Sequence, residues 1–306
     1  IPEALFQVGS CLYNSGDYNK ALKVFKKLVK NKSLFSQIAP KAQYKIAWCY
    51  WQMNKQEESL KEFNRYLAVY PDSPLAADVL LWLGKYDYEH NQFETARKYF
   101  DRIISEFPAH QLRDDASYWT GWTFYSAKDL GSALEQFKNM AARYPKSELT
   151  GDALLRVGDI LSGKKEYKKA VNYYRKALEQ AEGGLKAEIQ FQIAKCYQRQ
   201  NNIDQAKIEY LKVSYLYPES GYWALEAKIR AADIFEQQRQ WDEAKAIYEK
   251  IASSQLKEAK YARKRLEWIK DNVPGLSLGL KAIMDDELQS PGLKIPELVI
   301  PQTNTD

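Results

Sequence analysis

The stretch DVLLWLGKYDYEHNQFETARKYFDRIISEFP, from Asp78 to Pro108, contains two apolar patterns separated by a short polar turn. Apolar and small residues recur at helical spacing on both sides of the turn, which predicts two amphipathic α-helices. They are Leu80, Leu83, Gly84 and Tyr88 before the turn and Phe93, Ala96, Phe100 and Ile103 after it. Neither helix can bury its apolar stripe alone, so the stretch predicts a helical hairpin that needs neighbouring hairpins.

The same hairpin recurs along most of the chain at intervals of 36 to 38 residues. Each first helix contains a small residue, and each second helix contains another one 12 positions later. These repeat-defining residues are Gly9, Ala47, Gly84, Gly121, Gly158, Ala194 and Ala232 in the first helices, and Ala21, Ala96, Ala133, Ala170, Ala206 and Ala244 in the second helices, with Ser59 in the second copy. An aromatic residue lies four positions after the small residue of each second helix, from Phe25 in the first copy to Tyr248 in the last. We expect the small residues to let the two helices cross closely, and the aromatic ring to fill the gap against the next copy.

Small and aromatic residues in these positions resemble the tetratricopeptide repeat (TPR) family, roughly from Pro2 to Leu256. The resemblance implies an all-α fold, a right-handed superhelical α-solenoid of helix–turn–helix repeats. It also implies a protein that binds other proteins and is not an enzyme. The family period is about 34 residues, so the repeats of this chain are longer.

The extra residues lie in the links between hairpins, where Tyr70-Pro71-Asp72-Ser73 recurs as Tyr144–Ser147 and Tyr217–Ser220. Proline ends the preceding helix, and the serine hydroxyl can cap the next one. The link and the long period resemble those of bacterial envelope TPR proteins, such as the outer-membrane assembly lipoprotein and the Tol-Pal accessory protein. This resemblance implies a periplasmic or envelope-associated scaffold. The alternatives are a cytoplasmic TPR adaptor or regulator, or the accessory interaction region of a larger protein.

The repeat positions predict the domain organisation. We expect a TPR array over residues 1–272, with about seven repeats at 2–35, 40–72, 77–109, 114–146, 151–183, 187–219 and 225–256 and a capping helix at 257–272. Residues 273–306 contain four prolines and short apolar runs, which predicts an extended C-terminal tail. Ile295, Leu298 and Ile300 alternate there with polar or prolyl positions, so we expect the tail to contact the array or a neighbouring copy.

Composition and spacing favour no catalytic, metal or cofactor site. The three cysteines lack the paired spacing of zinc or redox motifs, and His90 and His110 lie in predicted loops without carboxylates at ligand spacing. The net charge of +5 neither demands nor excludes an acidic partner. The basic run at 164–176 is interpreted as a solvated helix face, so no nucleic-acid partner is expected. No apolar run approaches the roughly 18 residues that span a bilayer, so membrane association is expected only through an anchor upstream of Ile1.

The candidate binding surface is the concave groove that the first helices line in the TPR family. The positions that would face it hold the aromatic residues Tyr44, Trp48, Trp51, Tyr88, Tyr118, Trp122 and Tyr125, followed in later repeats by the charged residues Asp159, Lys195, Arg199, Asp233 and Glu236. Tyrosine and tryptophan are enriched where proteins bind partners, which predicts a protein or peptide ligand. The alternative is that several of these rings pack between neighbouring first helices or against the tail. The sequence identifies neither the partner nor the oligomeric state.

One TPR function is disfavoured at the sequence level. A subset of the family binds the C-terminal carboxylates of chaperones through Lys, Asn and Arg side chains of the first helices. The matching positions in this chain hold Phe6, Ser10, Tyr44 and Trp48. We therefore do not expect the protein to be a co-factor that binds chaperone tails.

Overall fold

The computed structural model describes residues 2–30 and 36–273. Within these ranges the chain forms fifteen α-helices, one short 3₁₀ helix at Pro218–Ser220 and no β-strand. The first helices of seven hairpins are α1 (Pro2–Asn14), α3 (Ala39–Gln52), α5 (Ala76–Glu89), α7 (Arg113–Ser126), α9 (Thr150–Gly163), α11 (Gly184–Arg199) and α13 (Tyr222–Gln237). The second helices are α2 (Tyr18–Lys30), α4 (Gln56–Val69), α6 (Phe93–Glu106), α8 (Leu130–Arg143), α10 (Tyr167–Gln180), α12 (Ile203–Leu216) and α14 (Trp241–Ala252), and α15 (Ala259–Asn272) follows them. The predicted all-α solenoid of helical hairpins is confirmed.

The chain divides into two compact units, Ile1–Ile189 and Gln190–Asp306, and the division falls within α11. The predicted tail lies outside the described residues from position 274 onwards, as do residues 31–35 of the first predicted repeat.

Four of the five hairpins of the first unit pack a glycine of the first helix against an aromatic ring of the second helix. A Cβ atom added at Gly84 would lie 2.4 Å from the Phe100 ring, so only glycine leaves room for that ring on the helix backbone. The same contact recurs between Gly9 and Phe25, Gly121 and Phe137, and Gly158 and Tyr174. The sequence interpretation placed these rings in the gap against the next repeat. In the structure the rings cover the small residue of their own repeat, and Phe63 also packs on Trp82 of the next repeat, with the ring centroids 4.5 Å apart.

The hairpin turns repeat as regularly as the helices. Each turn has one residue with a left-handed φ, seven positions after the small residue of its first helix. These residues are Gly16, Asn54, Asn91, Lys128, Lys165, Asn201 and Arg239, with φ between 58° and 83°. A left-handed residue ends the first helix and turns the chain towards the second one. Glycine and asparagine adopt this conformation more readily than lysine and arginine do.

The second unit has its own core and ends in a helix with one apolar side. Tyr210 and Trp223 pack on Phe191, with ring centroids 5.2 and 5.1 Å away. In α15 the residues Ala259, Ala262 and Ile269 are buried, whereas Arg263 and Glu267 are exposed. A terminal helix with a polar outer side covers the open end of a solenoid.

Candidate functional site

The seven predicted groove aromatics lie on three consecutive first helices, and every one of them is half-buried. Tyr44, Trp48 and Trp51 belong to α3, Tyr88 belongs to α5, and Tyr118, Trp122 and Tyr125 belong to α7. The term first-helix face is used below for these seven residues together with their contact residues Trp82, Lys85, Trp119 and Arg156.

One contact rule joins the first helices of this face. The small repeat-defining residue of each first helix serves as the reference position. The residue directly after this position in one first helix contacts the residue two positions before it in the next first helix. The ring centroids of Trp48 and Trp82 are 5.7 Å apart. Lys85 Nζ lies 5.0 Å from the Trp119 ring, and the Arg156 guanidinium lies 5.3 Å from the Trp122 ring. Edge-to-face aromatic and cation–π contacts therefore link α3, α5, α7 and α9 in succession.

Trp82 is the central aromatic residue between α3 and α5, and the sequence interpretation missed it. Its ring lies 4.9 Å from Trp51, 4.5 Å from Phe63 and 5.6 Å from Tyr86, between centroids. The signal that could have found it is its register, two residues before the repeat-defining Gly84. An aromatic residue at that position reaches back to the preceding first helix.

Tyr88 belongs to a different contact from the one that contains Trp82. Its ring lies 5.2 Å from Trp119, and its hydroxyl is 2.8 Å from the Ser126 hydroxyl, so it joins α5 to α7. Tyr86, two residues earlier, instead stacks on His90 with the centroids 4.1 Å apart. The structure thus assigns the aromatic residues of α5 to two separate groups.

The α7 aromatics form a third group around Trp122. The Trp122 ring lies 6.2 Å from Tyr118, 5.4 Å from Tyr125 and 6.0 Å from Phe137. The Tyr118 hydroxyl donates a hydrogen bond to Asp152 of α9. Burial and the negative charge of Asp152 raise the pKa of Tyr118, so its hydroxyl stays protonated and keeps donating.

An acidic cluster adjoins the α7 aromatics on the side of α9. Arg156 forms ion pairs with Asp152 at 2.9 Å and with Asp159 at 3.0 Å, and it lies 4.0 Å from Glu188. One guanidinium therefore faces three carboxylates, which leaves a formal charge of −2. Burial raises the pKa values of Asp159 and Glu188, and the charge of Arg156 opposes this effect. The first-helix face is thus aromatic around Trp48 and Trp82 and acidic beside Arg156.

Charged residues of the second unit that were predicted to face the groove have partners within that unit. The Asp233 carboxylate accepts hydrogen bonds from the Tyr248 and Tyr261 hydroxyls, both at 2.9 Å. Arg265 donates to both Glu236 oxygens, at 3.1 and 2.5 Å. These bonds tie α13 to α14 and α15.

Each of the seven predicted aromatics also has at least one ring partner, among them the pair Tyr44 and Trp48 at 6.0 Å. Packing between neighbouring side chains therefore accounts for the buried part of each ring. The exposed part is what a partner could contact.

The three cysteines each lie two residues after the small residue of a first helix, but they differ in burial. Cys49 and Cys196 are buried, but Cys11 is exposed. Burial raises the pKa of the Cys49 thiol to about 12. In the part of the chain that the structure describes, no group of three or more His, Cys, Asp or Glu side chains could hold a metal ion.

Stacked helical hairpins with small residues at their crossings define a protein of the tetratricopeptide repeat class. The chain belongs to the YfiO family of outer membrane lipoproteins, whose sequence profile matches residues 1–181. Two tetratricopeptide repeat profiles match residues 161–229 and 226–255. The resemblance to envelope TPR proteins is thereby confirmed. Across residues 2–30 and 36–273, no helix is both long and apolar enough to span a bilayer.

Solved structures share the fold at low sequence identity. The C-terminal part of a TPR repeat-containing protein from Cytophaga hutchinsonii has a TM-score of 0.62 and 19% identity, covering 84% of this chain and 98% of that chain. The apo form of RapI has a TM-score of 0.61 and 12% identity, covering 94% of this chain and 86% of its own. PilF of Pseudomonas aeruginosa has a TM-score of 0.50 and 18% identity, with coverage of 74% and 95%. These similarities show the fold alone, and no curated protein matches the chain significantly.

Proposed function

We propose that this chain is a non-enzymatic scaffold of the bacterial cell envelope that binds a protein or peptide partner on the first-helix face. Membership of an outer membrane lipoprotein family supports the envelope location. The TPR fold supports a role in protein–protein interaction. The observation that carries the proposed site is the continuous row of half-buried aromatic residues on α3, α5 and α7.

The packing of this row favours binding. Trp51 is held against Trp82 and Tyr86, with centroids 4.9 and 6.0 Å away, so its ring is already oriented before a partner arrives. Ordering side chains on association costs about 0.5–1.5 kcal/mol each. Rings that are ordered in the free protein avoid much of this cost and can anchor a partner.

The charge distribution suggests the chemistry of the partner. The face is aromatic at α3, and it adjoins the acidic cluster formed by Asp152 and Asp159 of α9 with Glu188 of α11. Opposite charges across an interface favour the correct register of binding. We therefore expect a partner segment with apolar side chains at the α3 end and a basic residue at the α9 end.

Site-specific photo-crosslinking in intact envelopes tests this proposal. A photoreactive residue at position 51 or 125 should crosslink to a partner protein, because both side chains lie on the proposed face. The Trp51→Ala/Tyr125→Ala variant should then bind the crosslinked partner at least tenfold more weakly, since two anchoring rings are lost.

The matched control replaces two half-buried tyrosines of the second helices, Tyr99→Ala and Tyr173→Ala, and should bind normally. Crosslinking from positions 99 and 173 as strong as from 51 and 125 would contradict the proposed face. A cytoplasmic crosslinked partner would favour the cytoplasmic adaptor over the envelope scaffold. A large loss of thermal stability in the Trp51→Ala/Tyr125→Ala variant would favour a packing role for these rings.

A further inference from the structure

The second helix of the sixth hairpin, α12, differs from the other second helices at three positions of one face. These positions lie two, five and nine residues after the small residue of the second helix. In α12 they hold Ile208, Leu211 and Tyr215, which are together called the α12 outer stripe. The other hairpins have no side chain there that is both apolar and larger than alanine: they hold Lys23, Lys26 and Lys30; Lys61, Asn64 and Ala68; Lys98, Asp101 and Ser105; Glu135, Lys138 and Ala142; Asn172, Arg175 and Glu179; and Ala246, Glu249 and Ser253.

The α12 outer stripe is open to solvent. Tyr215 is 83% exposed and Ile208 is 46% exposed, and the adjacent Leu216 is 53% exposed. The opposite side of α12 is buried through Tyr210 and Val213. An exposed apolar patch on a helix whose opposite side is already buried marks a contact surface.

We infer that the α12 outer stripe binds residues 293–300 of the same chain, LKIPELVI. This segment supplies the apolar side chains Leu293, Ile295, Leu298 and Ile300. Its two charges, Lys294 and Glu297, cancel, so that burying the segment against an apolar stripe leaves no net charge.

The length of the chain allows this contact. Val273 is the last described residue, and twenty residues lead from it to Leu293, which spans up to about 66 Å at about 3.3 Å per residue. Neighbouring helices pack about 8–10 Å apart, so α12 lies about 30 Å from α15. The segment therefore reaches the stripe at less than half of its maximal extension. Tethering within one chain gives an effective concentration of about millimolar, so that even a weak contact is populated.

The size of the stripe favours a segment of the same chain over a second copy. Ile208 and Tyr215 are seven residues apart, which is about 10 Å along a helix. A stable interface between two proteins buries about 800 Å² on each partner, which is more than three side chains supply. A short peptide segment matches a surface of this size.

Hydrogen–deuterium exchange of the full chain tests the contact. Amides of residues 293–300 should exchange at least fivefold more slowly in the wild type than in the Ile208→Ser/Tyr215→Ser variant. The control Asn172→Ser/Glu179→Ser changes equivalent positions of α10 and should leave the exchange of this segment unchanged. Equal exchange in the wild type and the α12 variant would overturn the inference. Protection that increases with protein concentration would show that a second copy supplies the segment, and would overturn it as well.

A reciprocal measurement keeps the inference falsifiable if the α12 variant folds poorly. Tyrosine nitration reports directly on the exposure of Tyr215. In the full chain, Ile295→Ser/Leu298→Ser should increase the nitration of Tyr215 severalfold, because the covering side chains are lost. Nitration of Tyr50 on α3 serves as the control and should not change. Unchanged nitration of Tyr215 would contradict the inference.

Discussion

At Gly84 the backbone of α5 is itself the surface on which the Phe100 ring packs. The ring leaves only 2.4 Å for a Cβ atom, which is shorter than any ordinary contact between carbon atoms. Phe100 is fully buried between helices, so it cannot move away without disturbing its neighbours. A single hydrogen in place of a methyl group thus determines how closely the two helices of this hairpin approach.

We expect Gly84→Ala to destabilise the protein by about 1–3 kcal/mol, the usual cost of overpacking a core. Chemical denaturation monitored by circular dichroism measures this change. The control is Gly163→Ala, where a Cβ atom would meet nothing within 4 Å and should be tolerated. Equal effects of the two substitutions would show that the Phe100 ring does not require a glycine.

At the scale of the helical hairpin, the left-handed residue of the turn is as regular as the apolar pattern. Two of the seven turns use lysine at this position, Lys128 and Lys165, with φ values of 64° and 63°. A side chain with a Cβ atom costs about 1–2 kcal/mol in this conformation. These turns therefore keep a conformation that the tertiary packing of the hairpin demands and the local residue disfavours.

Replacing the strained lysine should stabilise the protein. We expect Lys165→Gly to raise the free energy of unfolding by about 0.5–1 kcal/mol, because glycine adopts positive φ without a steric penalty. Thermal denaturation measures the effect. The neighbouring substitution Lys164→Gly is the control: its φ is −76°, so glycine brings only its entropic cost and should destabilise. Stabilisation by both substitutions would contradict the role of φ.

At the scale of the whole molecule, contacts are made mainly between helices that are neighbours along the chain, as in other solenoids. The last helix, α15, is held to the second unit by its buried side and by hydrogen bonds to α13 from Tyr261 and Arg265. In such an architecture the destabilising effect of a substitution at one end is expected to decrease with distance along the array.

We therefore expect Ala262→Glu to increase hydrogen exchange at least tenfold in α14 and α15 while leaving α3 to α8 unchanged. Ala262 is fully buried, so the substitution places a charge inside the interface of α15. Arg263→Glu, at the adjacent exposed position, is the control and should have little effect. An equal increase of exchange in α3 to α8 would show that the chain unfolds as a single cooperative block.

The sequence by itself determined the hairpin, its period and the all-α solenoid. These features depend on spacings within one copy, such as the 12 residues between Gly84 and Ala96, and seven copies repeat them. The links between hairpins and the long period resemble those of envelope TPR proteins. Residues 1–181 match an envelope lipoprotein family, in agreement with this resemblance. Local periodicity is sufficient for these conclusions because the two helices of every hairpin pack against each other through the same positions.

Only the tertiary structure decided how the first helices meet. It placed Trp82 at the centre of the α3–α5 contact, turned Tyr88 towards Trp119, and surrounded Arg156 with three carboxylates. The contacts of Trp48 with Trp82, Tyr88 with Trp119 and Arg156 with Glu188 join residues about 30 to 40 positions apart, and they depend on how one hairpin rotates against the next. That rotation follows from side-chain packing between copies, which no periodicity within a single copy contains.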